Sequence, residues 1–183
     1  MGQITVEKDL DGIKGLCLIT PTVHGDSRGA FFESYNQNDM TEAGFDYVFV
    51  QDNQSLSTKG VLRGLHYQIN HPQTKLVRVI KGEVFDVAVD LRKGSETYGH
   101  WHGEILSAYN HKQFQIPRGF AHGFLVLSDT AEFCYKCDDF YHANDEGGLI
   151  YNDPEIGIEW PQVDCELNLS DKDKKWKKLS ETF

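Results

Sequence analysis

Two histidines lie beside glycine in strand-like segments, and histidine is the side chain best suited to proton transfer near neutral pH. His66 belongs to segment 61–68, where apolar and polar residues alternate with the period of a strand. Gly64 in that strand indicates a close approach by another backbone or by a ligand. The period of two predicts that His66 lies on the face opposite Arg63. His122 ends a Pro-x-Gly-x-x-His turn at the head of an apolar strand, so both imidazoles are candidate site residues.

A metal site is the first alternative to acid–base chemistry. Small β-barrels of the cupin kind commonly bind a metal through His-x-His on one strand, a nearby Glu, and a His in a turn like that of His122. The first part is missing here, because Gln68 stands two residues after His66. The only His-x-His pair is His100 and His102, which has no third ligand at a suitable spacing. An exposed edge strand is therefore the simpler interpretation of that pair.

Composition limits the classes of protein that fit. A chain of 183 residues is long enough for one core, which predicts a single domain over residues 1–183. A net charge of −10 opposes binding to nucleic acids and anionic membranes, so an anionic ligand needs local cations such as Arg28. Segment 1–11 is polar and no apolar run is long enough to span a bilayer, which favours the cytoplasm. Cys134 and Cys137 are spaced to opposite faces of a strand, and we expect reduced thiols.

The elements that must hold these residues are mostly strands. Short strand patterns separated by glycine-rich turns predict an all-β jelly-roll barrel or sandwich with a few short helices, the best of them at 36–43. Further strands are expected at 30–35 and 45–50, and a polar turn at 51–54. The clearest hairpin is predicted over 75–91.

The second strand of that hairpin has one apolar face and one mixed face, which is typical of a barrel with polar groups inside. Asp86 lies on the mixed face, and we expect it to orient Lys75. The charged tail over 169–176 has the composition of a solvated terminus.

Taken together, six segments resemble the dTDP-4-dehydrorhamnose 3,5-epimerase family, and they follow its order from about residue 15 to residue 176. These segments are 51–53, 59–66, 75–78, 82–87, 117–124 and 169–173. The resemblance implies a metal-free, cofactor-independent cupin-like fold. It also implies a homodimer that exchanges N-terminal strands, and a dTDP-linked 4-keto-6-deoxyhexose as substrate.

The same resemblance implies roles for individual residues. His66 matches the base, Asp173 its carboxylate partner, Tyr135 the opposing proton donor, and Lys75 the cation beside the enolate. The charged tail should then fold over the barrel mouth. The residues that match nucleotide or sugar contacts are Arg28, Glu33, Gln51, Asn53, Arg63, His122, Glu146 and Lys172, with Arg28 and Glu33 acting in the neighbour's site. Phe140 replaces the family's usual tyrosine, which keeps the ring for stacking on thymine but removes the hydroxyl.

The implied chemistry is consistent with these residue types. A C4 ketone acidifies the hydrogens at C3 and C5, so the reaction needs a base, a cation near the enolate oxygen and an acid on the other face. No glycine-rich dinucleotide fingerprint is present, and none is required. Two alternatives stay open. One is an epimerase acting at a single carbon, and the other is a non-catalytic nucleotide-sugar binder or a metal cupin.

Overall fold

The computed structural model describes residues 3–182, so residues 1, 2 and 183 of the predicted domain lie outside the described part. The strands are β1 (Ile4–Lys8), β2 (Cys17–Pro21), β3 (His24–Asp26), β4 (Gly29–Phe31), β5 (Gln51–Thr58), β6 (Leu62–Gln68), β7 (Lys75–Lys81), β8 (Glu83–Asp90), β9 (Trp101–Ser107), β10 (Gln113–Ile116), β11 (Phe120–Val126), β12 (Thr130–Cys137) and β13 (Glu146–Gly148). The helices are α1 (Gln37–Glu42) and the 3-10 turns Leu10–Gly12, Ala143–Asp145, Asp173–Lys175 and Leu179–Glu181.

Two antiparallel sheets form the body of the fold. One sheet has the order β1-β2-β10-β7-β12-β5, and the other has the order β13-β6-β11-β8-β9. Strands β3 and β4 form a separate two-stranded ribbon. The predicted jelly-roll fold with few short helices is confirmed. None of the helices formed by residues 3–182 is long and apolar enough to cross a membrane.

The main core lies between the two sheets, where side chains from both strand sets meet. Val77 and Phe133 come from the first sheet, and Val84 and Ala88 from the second, all nearly free of solvent. Burying side chains of this size contributes about 1.5–3 kcal/mol each. The mixed face of β8 therefore points inward, and Asp86 on it is fully buried, as the pattern predicted for a barrel with polar groups inside.

The hairpin predicted over 75–91 is wrong. Strand β7 pairs with β10 and β12 in one sheet, whereas β8 pairs with β11 and β9 in the other. Gly82 joins them with a φ of 75°, and a Cβ there would lie 2.1 Å from the carbonyl oxygen of Thr130. Alternation along one strand predicts which side chains share a face, but it does not predict which strand pairs with it.

Three smaller expectations also fail, and one is confirmed. Segment 45–50 is not a strand; Phe45 instead packs with Ile19 on the outer face of the first sheet. The strand predicted at 30–35 ends at Phe31, and residues 51–54 begin strand β5 rather than a turn. The predicted helix at 36–43 is confirmed, because the Asn36 side chain accepts hydrogen bonds from two backbone amides of its first turn.

Candidate active site

A cavity of about 720 Å³ opens between the sheets and collects polar side chains from both. The predicted site residues that line it are Asn53, Arg63, His66, Lys75, His122, Tyr135, Lys172 and Asp173. His66 and His122 come from β6 and β11 of the second sheet, while Lys75 and Tyr135 come from β7 and β12 of the first. A molecule between the sheets would therefore meet histidine on one side and lysine with a phenol on the other.

His66 is paired with a carboxylate from the far end of the chain. Its Nε2 lies 2.6 Å from Oδ1 of Asp173, which is 3% exposed. Burial alone would raise the pKa of Asp173, but the hydrogen bond and charge of His66 outweigh it and hold that pKa below the usual value. The Asp173 carboxylate is therefore ionised at neutral pH, and it fixes which imidazole nitrogen remains free.

The segment carrying Asp173 is docked at both ends. Asn168 forms a parallel bridge with Val61, and Lys177 forms one with Leu149. The solvated tail expected from composition is thus wrong for Asp173, which is buried, whereas the fold over the cavity is what the family resemblance implied. The other charged residues of the segment, such as Asp171, Lys174 and Lys175, are exposed, as its composition predicts. Composition does not predict the two bridges, because they depend on Val61 and Leu149.

Arg63 and His66 do not lie on opposite faces as the period of two predicts, since both line the cavity. The pairing of β6 with β11 shifts register between His122 and Phe124, and the shift breaks the alternation. Gly64 does mark a close approach: a Cβ there would lie 2.6 Å from Cα of Gly123. Its φ of 115° also favours glycine.

Lys75 and Tyr135 form the opposite wall. The ammonium of Lys75 lies 5.9 Å from the centroid of the Tyr135 ring. Burial lowers the pKa of Lys75, although the nearby thiol of Cys137 and the carboxylate of Asp86 act in the opposite direction. Burial raises the pKa of Tyr135 to about 12, so its phenol carries its proton at neutral pH.

His122 is held by Asp86, a partner on the neighbouring strand. Its Nε2 lies 3.0 Å from both carboxylate oxygens of Asp86, and both side chains are buried. Burial lowers the pKa of His122 and raises that of Asp86. The hydrogen bonds of Asp86 thus go to His122, and its charge also acts on Lys75. The sequence signal for Asp86 was its place on the mixed face of β8.

Glu146 lies between His66 and the cavity mouth. Its Oε1 lies 4.0 Å from Nδ1 of His66, and its Oε2 accepts hydrogen bonds from Lys172 at 2.7 Å and from Tyr141 at 3.0 Å. Burial opposes ionisation of Glu146, but the hydrogen bond from Lys172 and the charge of His66 lower its pKa overall. Tyr141 was not predicted as a site residue, because nothing in the sequence distinguishes it from any other aromatic residue.

The remaining predicted contacts divide into two groups. Gln51 lies beside the cavity, where its side chain donates to Asn53 at 3.0 Å and accepts from the backbone of Tyr141 at 2.9 Å. Phe140, the residue before Tyr141, is 59% exposed. Arg28 and Glu33 are elsewhere: Arg28 pairs with Asp26 on the β3–β4 ribbon, and Glu33 accepts from the side chain of Asn36.

Metal-binding groups do not assemble within the described chain. Among residues 3–182, no three or more His, Cys, Asp or Glu side chains are grouped so that they could hold a metal ion. His102 is on the edge strand β9 as predicted, but its side chain is only 14% exposed: its ring meets the core ring of Phe114 at 5.8 Å, and Nδ1 lies 2.6 Å from Asp11. Cys134 and Cys137 are unpaired thiols. Cys137 is buried beside Asn53, and burial raises its pKa to about 11.

A jelly-roll domain in which a histidine–carboxylate pair faces a lysine and a protonated phenol has the groups that acid–base chemistry at carbon requires. A sequence model described as dTDP-4-dehydrorhamnose 3,5-epimerase matches residues 11–181. The chain belongs to this family. The match covers both sheets except strand β1, together with the docked C-terminal segment.

Individual relatives are all epimerases, and the chain is an isomerase. The chain is 56% identical over 170 residues to dTDP-4-dehydrorhamnose 3,5-epimerase of Pseudomonas aeruginosa, covering 92% of this chain and 93% of the relative. A crystal structure of the 3,5-epimerase from Legionella pneumophila in complex with dTDP-4-keto-L-rhamnose shares 49% identity and a TM-score of 0.94, covering 98% and 95% of the two chains. The 3'-monoepimerase ChmJ of Streptomyces bikiniensis, in complex with dTDP-quinovose, shares 31% identity and a TM-score of 0.86, covering 98% and 88%.

Proposed function

We propose that this isomerase converts dTDP-4-dehydro-6-deoxy-D-glucose to dTDP-4-dehydro-L-rhamnose by inverting C3 and C5, as a step of rhamnose nucleotide biosynthesis. The observation that carries the proposal is the separation of roles between two walls of one cavity. His66, bonded to Asp173 at 2.6 Å, belongs to one sheet, and Tyr135, with a pKa near 12, belongs to the other. Inversion at carbon needs a base and an acid on opposite faces, and this arrangement provides them.

His66 is the base in this proposal. Because Asp173 occupies Nε2, the nitrogen left for the substrate is Nδ1, whose nearest charged neighbour is Glu146 at 4.0 Å. The C–H proton moves to Nδ1, and the electron pair of that bond moves toward the C4 carbonyl oxygen to form an enolate. The ionised Asp173 stabilises the imidazolium that results. A well-placed base of this kind contributes roughly 10²- to 10⁴-fold to the rate.

Lys75 stabilises the enolate oxygen. Its buried ammonium has little water to screen it, so a developing negative charge nearby is strongly favoured. A preorganised cation or donor at such an oxyanion contributes on the order of 3 kcal/mol to the transition state. Tyr135 then delivers its hydroxyl proton to the opposite face of the same carbon, and solvent restores both His66 and Tyr135 before the second carbon reacts.

The substrate's diphosphate is an anion, and the chain as a whole carries a charge of −10. Local cations must therefore attract it, and Arg63 and Lys172 line the cavity. We assign Gln51, Asn53, His122 and Glu146 to polar sugar or nucleotide contacts. We assign Phe140 to stacking on thymine, because its ring is exposed beside the cavity loop.

Arg28 and Glu33 are assigned to the site of a second copy. The β3–β4 ribbon that carries Arg28 is exposed along its whole length, and Phe31 is 71% exposed. Strand β5 lies at an edge of the first sheet, where a strand from another chain could add. A homodimer with exchanged N-terminal strands would cover both surfaces. We place the reaction in the cytoplasm, where the four unpaired cysteines would stay reduced.

Product analysis tests the proposal. Incubation with the 4-keto sugar nucleotide followed by NMR should show the sugar inverted at both C3 and C5. A sugar inverted at one carbon only would instead support a single-position epimerase, the activity named for the ChmJ relative. Unchanged sugar, with dTDP still bound, would support the non-catalytic binder.

Metal content tests the remaining alternative. We propose that the reaction needs no cofactor, since base, cation and acid are all side chains of the cavity. The purified enzyme should keep its rate after dialysis against a chelator. Stoichiometric iron, zinc or manganese, together with activity lost to the chelator, would contradict cofactor independence and favour a metal cupin.

A further inference from the structure

The indole of Trp176 donates a hydrogen bond to Asp173, the carboxylate that holds the proposed base His66. Its Nε1–H donates to Oδ1 of Asp173 at 3.2 Å, and this is the same oxygen that lies 2.6 Å from Nε2 of His66. The carboxylate has two further donors: the backbone N–H of Gly64 lies 3.5 Å from Oδ2, and the side chain of Ser170 also hydrogen-bonds to it. Asp173 is 3% exposed, so water does not replace a missing donor easily.

The indole is itself fixed in place. A Cβ on Gly148 would lie 2.3 Å from the Trp176 ring, so the ring lies directly on the glycine backbone. The following residue, Lys177, is tied to Leu149 and Ile150 by a parallel bridge and a 2.9 Å backbone hydrogen bond. The ammonium of Lys172 lies 5.8 Å from the ring centroid on the cavity side. The donor is thus preorganised, which is the condition for it to orient its acceptor.

We propose that Trp176 is a positioning residue of the epimerase: its indole N–H fixes the rotation of the Asp173 carboxylate so that Oδ1 stays aligned with Nε2 of His66. Trp176 does not line the cavity, and its ring also meets the His66 ring edge-on, with 6.2 Å between the centroids. We assign its role to the N–H donated to Asp173 rather than to this ring contact. This inference rests on the proposed roles of His66 and Asp173. It assigns to Trp176 a part in the chemical step rather than in substrate binding.

The chain offers a matched control in Trp160. Its Nε1–H also donates one hydrogen bond, to the carbonyl oxygen of Tyr151 at 2.8 Å, and its ring packs against Phe85 at 5.9 Å. Trp160 packs against the cluster of Leu62, Leu125 and Leu169, but it does not itself line the cavity. Trp160→Phe and Trp176→Phe therefore remove the same group from two packed indoles, and only the second loses a donor to the carboxylate.

The test measures kcat, KM and dTDP affinity for the wild-type enzyme and both variants. Trp176→Phe should lower kcat about tenfold, the size expected for a hydrogen bond to a charged group, while KM and the dTDP Kd stay within about twofold. Trp160→Phe should keep kcat within about twofold. An unchanged kcat in Trp176→Phe, in an enzyme whose wild type inverts the sugar, would overturn the role of Trp176 alone. A wild type that inverts neither carbon would overturn the proposed function and this inference with it.

A double-mutant cycle separates positioning from general packing. In an Asp173→Ala background, Trp176→Phe should change the residual kcat by less than about twofold, because its target is gone. The same tenfold loss in that background would overturn the proposal. Should Trp176→Phe fail to fold, 3-benzothienylalanine at residue 176 keeps the shape of the ring and replaces the N–H by sulfur. It should show the same fall in kcat, and a normal kcat would count against the proposal.

Discussion

The neighbours of His66 determine which of its two ring nitrogens can meet a substrate. Both of its ring nitrogens have assigned neighbours, with Asp173 at 2.6 Å from Nε2 and Glu146 at 4.0 Å from Nδ1. The shorter distance is a hydrogen bond and the longer one is not, so Nδ1 is available to a substrate. Under the proposed function, Nδ1 is therefore the nitrogen that takes the substrate proton.

Removal of that imidazole should separate binding from chemistry. We expect His66→Ala to lower turnover by at least about 100-fold, because no other side chain replaces the base. Affinity for dTDP, measured by calorimetry, should stay within a few-fold. His100→Ala is the control, since His100 is exposed and outside the cavity. A fully active His66→Ala enzyme would contradict the assignment of the base.

Tyr135 provides the pH test at this scale. Its pKa near 12 exceeds the ordinary tyrosine value of 10.0, so the folded enzyme keeps the phenol protonated through a range in which exposed tyrosines ionise. Activity should therefore show no loss from this group as pH rises from about 7 to about 10, and the loss should begin only as pH approaches 12. A pH–rate profile of kcat measures this. A fall in kcat centred on an ordinary tyrosine pKa, absent from Tyr135→Phe, would be the contrary result.

Substitution of Tyr135 should uncouple the two halves of the reaction. In Tyr135→Phe, removal of substrate hydrogen by His66 should continue while formation of inverted sugar falls by about 100-fold, since the acid on the opposite face is lost. NMR in deuterated water follows both quantities in one sample. Tyr109→Phe, at a residue that is 89% exposed, is the matched control. Unimpaired inversion in Tyr135→Phe would show that the donor lies elsewhere.

At the scale of elements, the close antiparallel pairing of β6 with β11 positions both histidines. The two strands approach so closely at Gly64 and Gly123 that neither position has room for a side chain. A Cβ on Gly123 would lie 2.6 Å from the carbonyl oxygen of Arg63 and 3.0 Å from the side chain of Leu65. The glycine pair therefore fixes how His66 and His122 enter the cavity.

A methyl group where these two paired strands approach should destabilise the fold. Gly123→Ala should lower the free energy of unfolding by about 1–3 kcal/mol, the usual range for overpacking a filled interior. Urea denaturation measures the loss. Gly25→Ala is the control, because a Cβ there meets its nearest neighbour at an ordinary 3.7 Å. Equal stability of the two variants would mean that the strands separate without penalty and do not hold the histidines rigidly.

Sequence patterns predicted what repeats along a strand and missed what depends on a partner. Alternation identified the inward face of β8 with Asp86, and the local pattern predicted the short helix at 36–43. The same alternation failed at Arg63 and His66, because a register shift against β11 is a property of two strands. The docking of Asp173 was equally invisible to composition, since it depends on bridges to Val61 and Leu149; only the ordered family motifs predicted it.

At the scale of the whole molecule, one chain does not bring every predicted contact to the cavity. Arg28 and Glu33 lie on or beside an exposed ribbon, and Arg28 is paired locally with Asp26. If they act in a partner's site, then each site contains residues of two chains. In that arrangement activity requires the dimer, and mixing two variant chains tests it directly.

Mixing two inactive variants should restore activity. Arg28→Ala and His66→Ala chains, refolded together, should form heterodimers with one intact site, and random pairing of two-fold dimers predicts about a quarter of wild-type activity. The control mixes His66→Ala with Tyr135→Phe, whose defects fall in the same chain's cavity, and should restore none. Absence of recovery in the first mixture, with dimers present by light scattering, would place Arg28 outside the partner's site.

The most direct test of the account is hydrogen exchange at the sugar carbons. The wild-type enzyme is incubated with dTDP-4-dehydro-6-deoxy-D-glucose in deuterated water, and NMR follows the signals of C3–H and C5–H. We expect deuterium at both carbons in the wild type and at neither in His66→Ala. Wild-type enzyme that leaves both hydrogens in place, or His66→Ala that exchanges them at the wild-type rate, would contradict proton abstraction by His66.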